Sequence, residues 1–318
     1  MRVLVLHSDV GENPPPDELE TVATARAIAE ALRTRGHDAT LAPFDPDPAI
    51  VRGRIAAAQA VFNMVESVHG LGAFAPLAPA MLETMGVPYT GCGSASMALA
   101  GDKPLTKHIL RAAGLPTADW SEPPQWTGLR DDRRYIVKSA TEDASLGLDD
   151  GAVVLGAGVR ARAAQSAMRH GGRWFAEAYL EGREFNVAVL EDAGQPRVLP
   201  IPEMKFESWL EGRPRIVGYA AKWDEGSPDS AQTVRVFGTE PALDRELSDL
   251  ARRTWSLLGL RGFARIDFRI DAEGRPAILE VNPNPCLDPH SGFAAAAAQA
   301  NLSFAECVDL ILRAAVSG

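Results

Sequence analysis

The stretch GFARIDFRIDAEGRPAILEVNPNPCLDPHSG, Gly262 to Gly292, reads as two β-strands that carry acids where an ordinary sheet would carry apolar residues. In the first run Ala264, Ile266, Phe268 and Ile270 alternate with Phe263, Arg265, Asp267 and Arg269, so period-two geometry puts Arg265 and Asp267 on one face. In the second, Ala277, Leu279 and Val281 share the apolar face and Glu280 and Asn282 point with Ile278 to the other. A turn over residues 272–275 would set Asp267 directly opposite Glu280. Two carboxylates and an amide oxygen on one face are hard oxygen ligands of the kind Mg²⁺ accepts while it also holds substrate phosphates. An exposed hairpin with solvated acids is the plainer alternative. The run Glu280-Val-Asn282-Pro-Asn284-Pro, a strand driven into a double Asn-Pro stop, favours the metal reading.

Arg265-x-Asp267 followed by Leu279-Glu280-Val281-Asn282-Pro-Asn-Pro resembles the end of the ATP-grasp ligases, in particular the D-alanine:D-alanine ligase branch. The resemblance implies two Mg²⁺ ions, with Mn²⁺ as a substitute, held by Asp267, Glu280 and Asn282 against the phosphates of ATP. It implies that Arg265 stabilises the oxyanion of a tetrahedral intermediate. The fold it implies is mixed α/β (α+β), an ATP-grasp fold in three parts. A Rossmann-like parallel-sheet domain spans residues 1–98, a small central ATP-binding domain 99–181 and a C-terminal catalytic domain 182–318.

The 318 residues are 46% hydrophobic, enough for more than one buried core. A net charge of -10 argues against a nucleic-acid surface, so an anionic substrate must be met by local positive charge. The start, Met1 to Leu6, is too short for a signal h-region and no run approaches membrane-spanning length, so a cytoplasmic protein is expected. Cys92, Cys286 and Cys307 are far apart without metal-ligand spacing, which suits a reduced compartment. Cys286 alone lies near the proposed site.

In chain order, strands at 2–6, 39–41 and 60–64 alternate with helices at 17–35 and 48–58, the pattern of a parallel α/β sheet. The first loop, 7–16, lacks the glycine spacing of a dinucleotide fingerprint, which excludes an NAD reading. After the third strand come Glu66-Ser-Val-His69-Gly70 and Gly86-Val-Pro-Tyr-Thr90-Gly91, which the family uses to line the first amino-acid pocket. The resemblance assigns His69 to that pocket. The acid that usually follows five residues later is replaced by Phe74, a place Glu66 would have to fill. A helix over 102–113 carries Lys103 in its first turn, against the helix dipole unless an anion is near. Residues 116–128 read as a linker.

Further along, the resemblance places Lys103, Lys138 and Lys222 on ATP phosphates, Glu177 and Tyr179 in the adenine hinge, and Glu184 on the ribose hydroxyls. A carboxylate suits that last role because it only accepts. The loop 139–147 matches a flap whose backbone N–H groups cradle phosphates. Three departures concern the substrate. Ala144 stands where the family has a serine, with Ser145 beside it as the catalytic candidate. Trp223 replaces a tyrosine, and an indole cannot accept a hydrogen bond. The first loop lacks the usual Ser-x-Glu, which Asp9 or Glu12 would have to supply. Ser291 matches a serine that contacts the second substrate's carboxylate, and Gly292 sits where a larger apolar residue is usual and widens that pocket. A long helix precedes the hairpin and a final amphipathic helix at 303–316 follows it.

The expectation is an ATP-dependent ligase joining two amino acids through an acyl phosphate, with small-molecule substrates, no nucleic-acid or membrane partner, and a homodimer through the first domain. Two alternatives remain: a ligase for a different acid and amine or hydroxy acid, and an inactive nucleotide-binding protein.

Overall fold

Three sheets carry the molecule, a computed structural model that describes residues 1–11, 16–143, 145–224 and 226–317. The first is parallel, with β1 (Arg2–His7) between β2 (Asp38–Pro43) and β3 (Ala60–Met64). Both faces of β1 are covered. Val3 and Val5 meet Ala25, Ile28 and Leu32 of the helix Pro16–Thr34, and Leu4 and Leu6 meet Val51, Ile55 and Leu82 on the other side. Coverage on both faces explains why β1 is a continuous apolar run rather than an alternating one.

The second sheet is antiparallel, in the order β4 (Trp120–Ser121), β7 (Trp174–Ala178), β5 (Arg134–Ser139), β6 (Val153–Leu155). The expected linker at 116–128 is thus partly a strand. Trp120 pairs opposite Glu177 and closes the sheet edge. The helix Gly156–His170 lays Val159 and Ala163 on Tyr135, Val137 and Trp174.

The third sheet runs β11 (Thr233–Phe237), β10 (Pro202–Phe206), β8 (Glu184–Asp192), β12 (Phe263–Ile270), β13 (Pro276–Asn282), with β9 (Gln195–Val198) paired to β8. Asp267 does lie opposite Glu280, by a route other than the expected loop. The turn is one residue longer, so Ile270 pairs with Pro276 and Phe268 with Ile278; the register then shifts between Phe268 and Asp267, leaving Leu279 as the extra residue. A bulge of this kind resets the alternation. Ile278 therefore joins Val281 in the apolar core, and Leu279, expected there, is only half-buried.

Hydrophobic clusters join residues of different sheets. Ala188, Leu190, Phe263 and Phe293 pack in one cluster with Val3, Val5 and Phe62 of the first sheet. The boundary at 98/99 falls inside the helix Ser94–Gly101, whose Met97 and Ala100 pack with Ile266 and Phe268. At the far seam, Asp309 of the helix Phe304–Val316 receives His37 at 3.0 Å, Arg35 at 3.4 Å and Arg313 at 2.8 Å.

Candidate active site

The hairpin β12–β13 presents Arg265, Asp267, Glu280 and Asn282 towards the second sheet. Arg265 donates through Nε and Nη2 to the two oxygens of Asp267, each at 2.8 Å, and Asn282 Nδ2 donates to Asp267 Oδ2 at 3.2 Å. Asp267 is buried at 6% exposure, and this fork holds it rigidly. Glu280 is differently placed. Burial opposes its charge, but Lys103, Lys138, Lys222 and Arg265 together hold its carboxyl well below the usual range.

Lys103 and Lys138 have tethers of their own, as Arg265 has in Asp267. Asp102 caps the helix Lys103–Ala112 by accepting from Leu105 N at 3.0 Å, which fixes Lys103 at the first turn. Lys103 Nζ then donates to Asp143 at 2.7 Å and to the Glu142 carbonyl at 3.0 Å, and stands 3.9 Å from Glu280. Burial works against its charge, yet Asp143 and Glu280 prevail and raise its pKa. Lys138, at the end of β5, donates to Glu177 at 3.1 Å. Lys222 is solvent-accessible as a residue, but desolvation of its ammonium and the charge of Arg265 lower its pKa.

Two residues outside the sequence-level assignment complete the arrangement. Lys107, four residues after Lys103 and so on the same helix face, pairs with the other oxygen of the buried Glu177 and donates to Thr117 Oγ1 at 2.8 Å. Desolvation, with Lys138 adding repulsion, pushes its pKa down to about 8 against the pull of Glu177. Glu177 is thus clamped between two lysines, one on each carboxylate oxygen. Arg269, the next residue on the acidic face of β12, donates to Glu184 at 2.9 Å and to the Leu180 carbonyl at 2.6 Å. It also reaches the Arg215 carbonyl, whose own N–H donates to Tyr179 Oη at 2.7 Å. Burial raises the pKa of Glu184 against the pull of Arg269. The alternation of β12 already placed Arg269 beside Asp267; Lys107 was legible as an i+4 repeat.

The remaining candidates lie around this centre. Ser145 has a left-handed backbone (φ 61°) and donates to the Val217 carbonyl at 2.9 Å, and Tyr219 N donates to the Leu148 carbonyl at 3.1 Å. The flap loop and the segment 217–219 before Lys222 therefore meet through one side-chain and one backbone hydrogen bond. Gly218 makes this approach possible, since a Cβ there would sit 2.7 Å from the Leu148 oxygen. Ala144 and Glu12 lie outside the described residues, as does the side chain of Trp223. Asp9, Glu66 and His69 are exposed at the carboxyl ends of β1 and β3, where Ser8 Oγ accepts from Glu66 N and Ser67 N at 3.0 Å. Asn284 Nδ2 donates to the Val65 carbonyl at 3.3 Å, which docks the Asn-Pro stop on this end of the first sheet. Ser291 caps the helix Gly292–Gln299. Burial, then the charges of Glu66 and Glu20, push the pKa of the Cys286 thiol up.

Among the described residues no three His, Cys, Asp or Glu side chains converge as a metal cluster. The candidate set is instead two carboxylates and an amide, and its chemistry fits Mg²⁺. Asp267 Oδ1 keeps a second lone pair beyond the one Arg265 Nε takes, Oδ2 being filled by Arg265 Nη2 and Asn282 Nδ2, and Glu280 is ionised.

A fold that sets a cation-ringed carboxylate pair between two antiparallel sheets defines the ATP-grasp class. The family profile described as "D-ala D-ala ligase C-terminus" matches residues 132–313. The D-alanine–D-alanine ligase of Haemophilus influenzae (strain PittEE) is 31% identical over 91% of this chain and 94% of its own length. That of Acidiphilium cryptum (strain JF-5) is 32% identical over 99% and 98%. An uncharacterised protein, y4sG, of Sinorhizobium fredii is 30% identical over 94% and 89%. The crystal structure of the Bacillus anthracis D-alanine–D-alanine ligase complexed with ATP shares the fold, with a TM-score of 0.78 at 18% identity over 100% of this chain and 98% of that one. The chain belongs to the D-alanine–D-alanine ligase family and is an ATP-dependent ligase of the ATP-grasp fold. No helix among the described residues is long and apolar enough to cross a membrane.

Proposed function

We propose that the chain uses Mg·ATP to phosphorylate a substrate carboxylate and that an amine then attacks the acyl phosphate, giving an amide, ADP and phosphate. The observation that carries this reading is the convergence of Lys103, Lys138, Lys222 and Arg265 on Glu280, opposite Asp267. Phosphoryl transfer asks a protein mainly for positioning and for charges that offset those on the phosphoryl oxygens. The three lysines supply the charge. Asp267, Glu280 and Asn282 would hold Mg²⁺, as two ions or one; when bound, the metal adds neutralisation of the transferred group.

Arg265 serves the second step. Its orientation is fixed by Asp267, so a donor stands ready for the oxyanion formed when the amine adds. Glu184 takes the ribose hydroxyls with Arg269 setting its orientation, and Tyr179 borders the adenine hinge beside Glu177. Glu66 and His69 border the first amino acid, and Ser291, Gly292 and Trp223 the second. Ser145 acts by holding one flap to the other. A cytoplasmic homodimer joined through residues 1–98, with 99–181 and 182–318 as the nucleotide and catalytic parts, completes the reading.

The test is ADP release with Mg·ATP and D-alanine, run beside a panel of D- and L-amino acids and small amines. Release with D-alanine alone assigns the dipeptide activity that its relatives' names carry. Release only with another pair keeps the chemistry and changes the substrates; the missing side chain at Gly292 favours that second reading. No release with any pair, under conditions where ATP binds, removes the ligase proposal.

A further inference from the structure

One arginine near the site has no place in the chemistry above. Strand pairing carries a single row across the third sheet, Arg269 opposite Glu184, Glu184 opposite Met204, and Met204 opposite Arg235. Directly opposed residues of antiparallel strands share a face. Arg235, on the outer strand β11, therefore stands on the face that carries Arg265, Asp267 and Arg269.

Its guanidinium lies against Gly292. A Cβ at that position would be 3.6 Å from Nη2, 3.7 Å from Nε and 3.9 Å from Cζ of Arg235. The arginine thus occupies the space that a larger residue at 292 would fill, beside Ser291, the expected contact of the second substrate. Charge is unbalanced there. Arg265 is closed on Asp267, whereas among the described residues no acceptor engages the guanidinium of Arg235. Arg235 is exposed as a residue, but desolvation of its guanidinium and then the field of Arg265 lower its pKa, although a guanidinium remains charged at any working pH. Edge strands often carry solvated charges. A guanidinium folded back over Gly292, with a second arginine near, is instead a forked donor set for carboxylate.

We propose that Arg235, in the space left by Gly292, recognises an acidic side group on the amine substrate, in addition to the carboxylate expected at Ser291. The acceptor of this chain is then a dicarboxylic amino compound. The inference rests on the ligase reading for the word acceptor, but the anion site is testable without turnover.

Calorimetric titration of the full chain, loaded with Mg²⁺ and a non-hydrolysable ATP analogue, compares glutamate and aspartate with glutamine and asparagine in both enantiomers. At least one acid is expected to bind tenfold or more tightly than its amide. The preference should fall to near one in Arg235→Gln, and in Gly292→Leu, whose side chain displaces the guanidinium. Unchanged affinity for the ATP analogue shows that both variants fold. Equal binding of acid and amide, failure of all four acids to bind, or a preference that survives Arg235→Gln overturns the assignment. ADP release with the same compounds separates the two readings. Release with neutral acceptors only removes the Arg235 site and keeps the ligase; an acid preference in binding without release from any pair keeps the site and removes the ligase.

Discussion

Asp309 and Glu280 are both acids set among several cations, and they are built in different ways. Asp309 is met at hydrogen-bonding distance by His37, Arg35 and Arg313, which pins the last helix to the first sheet. Glu280 has its nearest ion-pair contact at 3.9 Å, to Lys103. Three of the four cations around it are held elsewhere, Lys103 by Asp143, Lys138 by Glu177 and Arg265 by Asp267. The first cluster spends its charge on closing a seam. The second holds opposite charges apart, an arrangement that leaves hydrogen-bonding capacity for phosphate and metal.

The contrast breaks most directly at Glu280. Glu280→Gln should lower turnover by about 10³, roughly 4 kcal/mol of lost charge stabilisation, with ADP release as the readout; turnover within tenfold of wild type would place Glu280 with the structural acids. Arg265→Ala should cost on the order of 10² to 10³ in kcat, and near-normal turnover in that variant would take Arg265 out of the mechanism. Asp309→Asn should do the opposite. A loss of about 2 kcal/mol in urea unfolding is expected, with kcat kept, since the carboxylate removed is buried with charged donors that are not among the candidate site residues. Its pH signature has a definite sign. Burial opposes the charge of Asp309, but His37, Arg313 and Arg35 bring its pKa below the ordinary 3.8, so its contribution is complete above about pH 4 and is lost as the pH falls through the depressed value. Acid unfolding of Asp309→Asn should lack that component; identical acid profiles would mean the seam does not depend on this charge. The smallest effect is expected at the flaps. Ser145→Ala removes one hydrogen bond, about 1 kcal/mol, and should reduce turnover about fivefold. Gly218→Ala, which forces a Cβ against the Leu148 oxygen, should exceed it in the same assay, and the reverse order would show that the loops meet differently during turnover.

Local pattern and packing divide the account of the fold. The strands of the first sheet were legible as short apolar runs between helices, and the acidic face of β12 by its alternation, because burial on two faces or one enforces each pattern. Lys103 was legible from the cost of a cation at a helix start. The extra residue at Leu279 was not, because a bulge is chosen by how two strands settle on the core and not by either strand alone. The short strand Trp120–Ser121 was hidden for a related reason, since only its partner β7 makes that proline-rich segment a strand.

The sequence by itself determined the family, the acids of β12 and β13 and the lysines to be matched with them, because side-chain chemistry at fixed spacing survives any detail of packing. Only the tertiary structure decided that Glu177 is clamped by Lys107 and Lys138, that Arg269 holds Glu184, and that Arg235 folds over Gly292. These pairings join residues from separate elements, and which long side chain reaches which partner is fixed by sheet register and helix placement.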